Sequence, residues 1–121
     1  MKFPMVHFEI MGGRGDELER FYAGLFDWKI NSNNPMRYGF VAAGDPQAVT
    51  AGVGVSHDGG KRVTVYVRVD DLQATLDQVE KLGGKTILPP SAVPGGPRIA
   101  MFADPAGNVT GLMQGDWRGT D

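Results

Sequence analysis

The sequence predicts an α+β fold in which one strand–helix–strand–strand–strand unit is used twice. Three observations carry this. Val6-His7-Phe8-Glu9-Ile10 and Val63-Thr64-Val65-Tyr66-Val67-Arg68-Val69 both alternate in side-chain character with the period of two that marks a half-buried strand. Each is followed by helical spacing of apolar residues, Leu18, Phe21, Tyr22 and Leu25 in the first half and Leu72, Leu76, Val79 and Leu82 in the second. The halves also superpose by number: His7 and Thr64, Tyr22 and Val79, Leu25 and Leu82, and Ile30 and Ile87 are all 57 apart. Asp45-Pro46 and Asp104-Pro105, like Gly52 and Gly111, are 59 apart, so the second half carries two extra residues. An internal repeat of this kind outweighs any single motif as evidence of fold. Neither half is long enough to bury a good core alone, so modules 1–56 and 60–121 are expected to pair as one domain.

In order along the chain, the first strand turns through Gly12-Gly13-Arg14-Gly15 into a helix, with Asp16 and Glu19 spaced as a capping box. Asp27-Trp28-Lys29-Ile30 reads as a short strand, stopped by Asn31-Ser32-Asn33-Asn34-Pro35. Met36–Ala43 and Val49–Val55 are further strands on either side of Gly44-Asp45-Pro46, and His57-Asp58-Gly59-Gly60 is the connector. After the fifth strand, Asp70 and Gln73 form a second capping box and Gly83-Gly84 ends the helix. Lys85–Leu88 is a strand, Pro89–Pro97 a proline-rich loop, Arg98–Ala103 a strand, Asp104–Asn108 a tight turn and Val109–Gln114 the last strand.

Composition excludes several classes. The 121 residues contain no cysteine, which removes disulfides, thiolate metal sites and thiol nucleophiles. Twelve Lys and Arg against fourteen Asp and Glu give a net charge of −2, and no basic run exceeds Lys61-Arg62, so neither nucleic acid nor a membrane surface is an expected partner. No apolar run reaches the ~18 residues of a membrane span, and the amino-terminal residues do not read as a signal peptide, which leaves a cytoplasmic protein as the expectation.

The repeat resembles the glyoxalase, bleomycin-resistance and extradiol-dioxygenase superfamily, the vicinal oxygen chelate proteins. The residues that carry the resemblance are Val6–Ile10 and Phe21-Tyr22-Ala23-Gly24-Leu25-Phe26-Asp27-Trp28 in the first half. In the second they are Val67-Arg68-Val69-Asp70-Asp71-Leu72, Leu82-Gly83-Gly84-Lys85 and Asp104-Pro105-Ala106-Gly107-Asn108-Val109. The resemblance covers residues 3–115 and implies two βαβββ modules pairing curled sheets around a cleft, with helices on the outer face and commonly a homodimer. It is poorly specific for function, because the fold carries lyases, epimerases, dioxygenases, thiol transferases and drug binders.

By alternation, Phe8 and the valines of the fifth strand face the helices. The ligand cleft is then lined by His7, Glu9, Phe40, Gly52, Thr64, Tyr66, Arg68, Gly111 and Met113. The resemblance places metal ligands on four cleft strands. Only His7 keeps a ligand type there, because the other three positions hold Gly52, Thr64 and Gly111. The other histidine, His57, falls in the connector, and two protein ligands rarely hold a catalytic metal. No cofactor is therefore expected, although His7 and Glu9 could hold a divalent metal weakly. Glu9 and Arg68 could serve as a base and an anion clamp, or as a plain salt bridge between strands. Tyr66 and Phe40 could stack on a planar ligand or simply pack. Gly111, in place of a carboxylate, predicts an apolar pocket beside Met113. Two functions follow: a metal-free binder of a small organic molecule, or an enzyme. The enzyme is either a metal-dependent lyase or dioxygenase using His7 and Glu9, or a metal-free acid/base catalyst.

Overall fold

The computed structural model describes residues 2–13, 15–55 and 60–115. His57, the Arg14 of the glycine-rich turn and the tail with Trp117 lie outside the described residues. The chain is α+β, and both βαβββ modules are present in the expected order. The described residues pack into two compact units: residues 2–6 with 64–115, and the residues from 7 to 63.

The first module contains β1 (Met5–Met11), α1 (Gly15–Phe26), β2 (Ile30–Asn31), β3 (Gly39–Val41) and β4 (Thr50–Gly54). Its strand order is β2-β3-β4-β1, with β1 and β4 parallel and the other pairs antiparallel. The second module contains β5 (Arg62–Val69), α2 (Leu72–Lys81), β6 (Lys85–Ala92), β7 (Arg98–Ala103) and β8 (Val109–Gln114). Its order is β5-β8-β7-β6, again with one parallel pair, β5 and β8. The repeat reaches the level of register: Glu9 lies opposite Gly52 and Tyr66 opposite Gly111. It also reaches the turns. Asp45 Oδ1 accepts from the Gln47 N–H at 2.8 Å and Asp104 Oδ1 from the Ala106 N–H at 2.9 Å, the same aspartate turn before the last strand of each module.

The second module has the better-formed core. Leu72 and Leu76 of α2 are each 1 % exposed and pack with Val69, Ala100 and Leu112, with Val67 and Phe102 alongside. Val67 and Val69 thus lie on the helix side of β5, as alternation predicts, whereas Val63 and Val65 on the same side are exposed. The cap of α2 is Asp71 rather than Asp70: its carboxylate accepts from the Ala74 N–H at 3.0 Å, while Gln73 turns to Asp77 instead. The helix stops where Gly84 N–H donates to the Val79 carbonyl and Gly83 N–H to the Glu80 carbonyl, with Gly83 at φ +98°, a Schellman closure.

Helix α1 departs from the sequence reading. Asp16 lies inside its first turn, where it meets Arg20 at 3.5 Å, instead of capping it. The inward side is Leu18, Glu19, Tyr22 and Ala23, all half-buried, whereas Phe21 and Leu25 are each 58 % exposed. The helix is apolar on more than one stripe, so periodicity alone could not choose the stripe. Tyr22 stacks on Trp28, whose ring meets Phe8 edge-on, and this aromatic group anchors α1 to its own sheet. Strand β6 runs through Pro89 and Pro90, where a loop was expected. It is the outer strand of its module's sheet, and its pairing to β7 skips register there, which is where a strand tolerates a missing N–H. Among the described residues, no helix is long and apolar enough to cross a membrane.

Candidate functional site

The polar centre of the first module is built on β1. The parallel pairing with β4 sets His7 beside Thr50 and Glu9 beside Gly52. His7 is 4 % and Glu9 9 % exposed, unusual burial for a pair of titratable side chains. Each is hydrogen-bonded. The His7 Nδ1 lies 2.6 Å from Thr50 Oγ1 and its Nε2 lies 2.7 Å from the Tyr38 hydroxyl. That hydroxyl in turn donates to Glu9 Oε2 at 2.9 Å.

One assignment of protons satisfies the whole chain. Because Tyr38 donates its proton to Glu9, its oxygen accepts from His7 Nε2–H. Nδ1 is then the bare nitrogen, and it accepts from the Thr50 hydroxyl. Burial supports this neutral imidazole: desolvation lowers the His7 pKa from 6.5 to about 4. The Phe40 ring lies almost parallel to His7, with centroids 6.4 Å apart and 10° between planes, and Tyr38 stacks at 6.1 Å.

Tyr38 was not among the residues the sequence singled out. It does not belong to β3, which starts at Gly39. The loop before that strand delivers it. Asn34 holds the Tyr38 backbone from both sides, donating from Nδ2 to the Tyr38 carbonyl at 2.7 Å and accepting the Tyr38 N–H at 2.8 Å. Between them Arg37 takes φ +51°, a left-handed conformation that a non-glycine residue adopts at a cost. The turn throws the Tyr38 ring across Gly52. A Cβ on residue 52 would overlap the Tyr38 hydroxyl, so that hydroxyl stands where a side chain of β4 would otherwise reach the site.

The second module's predicted residues gather on β5 and β8, where Tyr66 pairs with Gly111 and Arg68 with Met113. Here the expectation of an open apolar pocket is corrected. The space that Gly111 leaves is filled by the ring of Tyr66, which a Cβ on residue 111 would strike. A strand glycine opposite an aromatic residue is a seat for the ring, and the ring closes it. Phe40 and Tyr66 are both buried, one against His7 and the other over Gly111, so neither presents a free face for stacking. Thr64 is 1 % exposed, and its hydroxyl has no hydrogen-bond partner among the described residues.

The donor set does not fit a divalent metal. Of the four positions the resemblance assigns to ligands, only His7 offers one. Both its nitrogens are engaged, and the β4 position is taken by the Tyr38 hydroxyl. Among the described residues no three His, Asp or Glu side chains form a group that could hold a metal ion. What the arrangement can do is hold a hydroxyl between a neutral imidazole N–H and a carboxylate, and pass a proton along that line.

Comparison with known proteins agrees with this architecture. Residues 5–112 match the model of the Glyoxalase/Bleomycin resistance protein/Dioxygenase superfamily. Among curated proteins, the anthracycline biosynthesis proteins DnrV of Streptomyces peucetius and DauV of Streptomyces sp. (strain C5) are 33 % and 32 % identical over 117 residues. Each match takes in 78 % of this chain, which spans 42 % of each relative's length. Among solved structures, a Streptomyces coelicolor methylmalonyl-CoA epimerase in complex with 2-nitronate-propionyl-CoA superposes with a TM-score of 0.68 at 15 % identity, covering 100 % of both chains. The methylmalonyl-CoA epimerase of Mycobacterium tuberculosis gives 0.65 at 16 % identity, covering 93 % of this chain and 87 % of its own.

Proposed function

For a chain that belongs to the glyoxalase/bleomycin resistance/dioxygenase superfamily, we propose a metal-free role: binding a small organic molecule at the His7–Glu9 face of the first module. The observation that carries the reading is the closed hydrogen-bond chain Thr50–His7–Tyr38–Glu9, which engages both imidazole nitrogens and keeps a hydroxyl where a metal ligand would project. Buried polar groups are costly unless paired, and this set pairs a donor and an acceptor on one oxygen. The names of the curated relatives, proteins of anthracycline biosynthesis, support a small organic ligand.

A metal-free acid/base reaction is the second reading, favoured by the same chain, because a neutral imidazole, a phenol and a carboxylate in line can relay a proton. Native mass spectrometry on freshly purified protein tests the proposal. A dimer carrying a co-purified organic molecule and no divalent ion is expected, and the molecule should be lost in His7→Ala. One divalent ion per chain, lost in the same variant, would overturn it. The dimer is proposed because α1 leaves Phe21, Leu25 and Phe26 exposed on the surface.

A further inference from the structure

The reading above leaves the ligand's chemistry open, and the site itself narrows it. Tyr38 is not a strand residue of the sheet it completes. It is brought in by a loop, through a left-handed Arg37 and an asparagine clamp, and laid over a glycine that leaves its place vacant of any side chain. Its hydroxyl makes two contacts of opposite sense on one oxygen, accepting from His7 Nε2–H at 2.7 Å and donating to Glu9 Oε2 at 2.9 Å. The ring is only half-buried, so solvent reaches the residue that occupies the site, while His7 and Glu9 beneath it are closed off.

We infer that Tyr38 is an internal stand-in for the ligand, and that the site takes an aromatic compound bearing a free hydroxyl, a phenol, which replaces the Tyr38 hydroxyl between His7 and Glu9. This rests on the binding reading above and adds the chemical class to it. The alternatives fail on chemistry. A ketone or an ether has no proton to give Glu9 Oε2 in place of the one the Tyr38 hydroxyl donates. A carboxylate ligand would bring like charge against Glu9. An aliphatic alcohol has the proton, but it is a weaker acid than a phenol and donates a weaker bond to a carboxylate. It also lacks the flat ring that could take the place of the Tyr38 ring over Gly52 and against His7. Displacement conserves hydrogen bonding, because the incoming hydroxyl restores both bonds.

The test uses matched pairs of probes differing by one methyl group on oxygen. In Tyr38→Ala, which empties a ring-sized space above Gly52, phenol and anisole are titrated by NMR with the His7 ring nitrogens as reporter. Phenol is expected to bind roughly tenfold or more tightly than anisole and to restore the wild-type Nε2 signal. Equal binding of the two, or binding of neither to a folded variant, overturns the inference. Should Tyr38→Ala not fold, the wild-type protein is titrated with 2-naphthol and 2-methoxynaphthalene. Only the naphthol should move the Tyr38 ring resonances, and failure of both to do so is the overturning result. The outcome is separable from that of the binding reading. A co-purified ligand without an aromatic hydroxyl sustains binding and defeats the phenol, whereas a divalent ion held by His7 defeats the binding reading first.

Discussion

Gly52 and Gly111 occupy equivalent places in the two modules, opposite Glu9 and Tyr66, and each lies under a tyrosine ring. The rings arrive by different routes. In the second module the neighbouring strand residue, Tyr66, leans directly over its partner glycine. In the first, that neighbour is Glu9, and a loop residue, Tyr38, is carried in to bridge it to His7. At the next equivalent pair, His7 has a partner at each nitrogen, whereas the buried hydroxyl of Thr64 has none among the described residues. The helices follow the same division: α2 is capped at both ends over fully buried leucines, and α1 leaves Phe21, Leu25 and Phe26 exposed. One module's repeat unit is built around packing and the other's around a buried polar chain.

The sharpest break in that comparison is a pair of helix leucines, one buried under α2 and one exposed on α1. Leu76→Ala removes a side chain 1 % exposed in the α2 core and is expected to cost about 3 kcal/mol in urea unfolding. Leu25→Ala, at a position 58 % exposed, should cost less than about 1 kcal/mol. Similar losses at both sites would mean that α1 is buried in the working protein, as a dimer formed on that helix would require.

Acid should separate the modules next. Burial holds the folded His7 pKa down from 6.5 to about 4. Between those two values the unfolded chain binds a proton that the folded one refuses, so stability is fully present above about pH 6.5 and falls as pH drops toward 4. The whole difference amounts to about 3 kcal/mol. His7→Gln should flatten stability-versus-pH over that window, while no such dependence is expected to vanish in Thr64→Ser.

Added methyl groups test the two tyrosine seats. Gly111→Ala would drive a Cβ against one side of the Tyr66 ring, held on a strand, and is expected to cost about 2 kcal/mol. Gly52→Ala meets the far end of Tyr38, whose loop can give way, so the stability loss should be smaller. The His7 ring should nonetheless lose its Nε2 partner, visible as a shifted imidazole nitrogen resonance. If Gly52→Ala were the costlier change and left that resonance in place, Tyr38 would be a fixed part of the core and not a displaceable one.

The sequence made the repeat, the order of elements along the chain and the placement of His7 and Glu9 on one face of β1 legible, because period-two alternation and constant numbering offsets survive without any knowledge of contacts. Tyr38 was hidden because its position depends on a left-handed Arg37 and a bidentate Asn34, neither of which periodicity records. The available hint was negative: a β4 glycine at a site position asks what fills its space, and a tyrosine entering the preceding strand is one answer. The same question put to Gly111 would have found Tyr66 and removed the expected pocket. Pro89 and Pro90 misled for a related reason, since their tolerance in β6 is a property of an outer strand, and strand order is not written in local composition.

The smallest effect reads the polar chain most directly. Thr50 and Thr64 are both buried or half-buried strand threonines, yet among the described residues only the Thr50 hydroxyl of the two is bonded, to His7 Nδ1 at 2.6 Å. Thr50→Val should therefore cost about 1 kcal/mol, because the buried imidazole nitrogen loses its donor. Thr64→Val removes a hydroxyl that is buried without a partner among the described residues, and should stabilise the protein by about 1 kcal/mol. Opposite signs in thermal unfolding of the two variants are the expected result. Equal losses would show that the Thr64 hydroxyl also has work, and that the second module carries a polar site of its own.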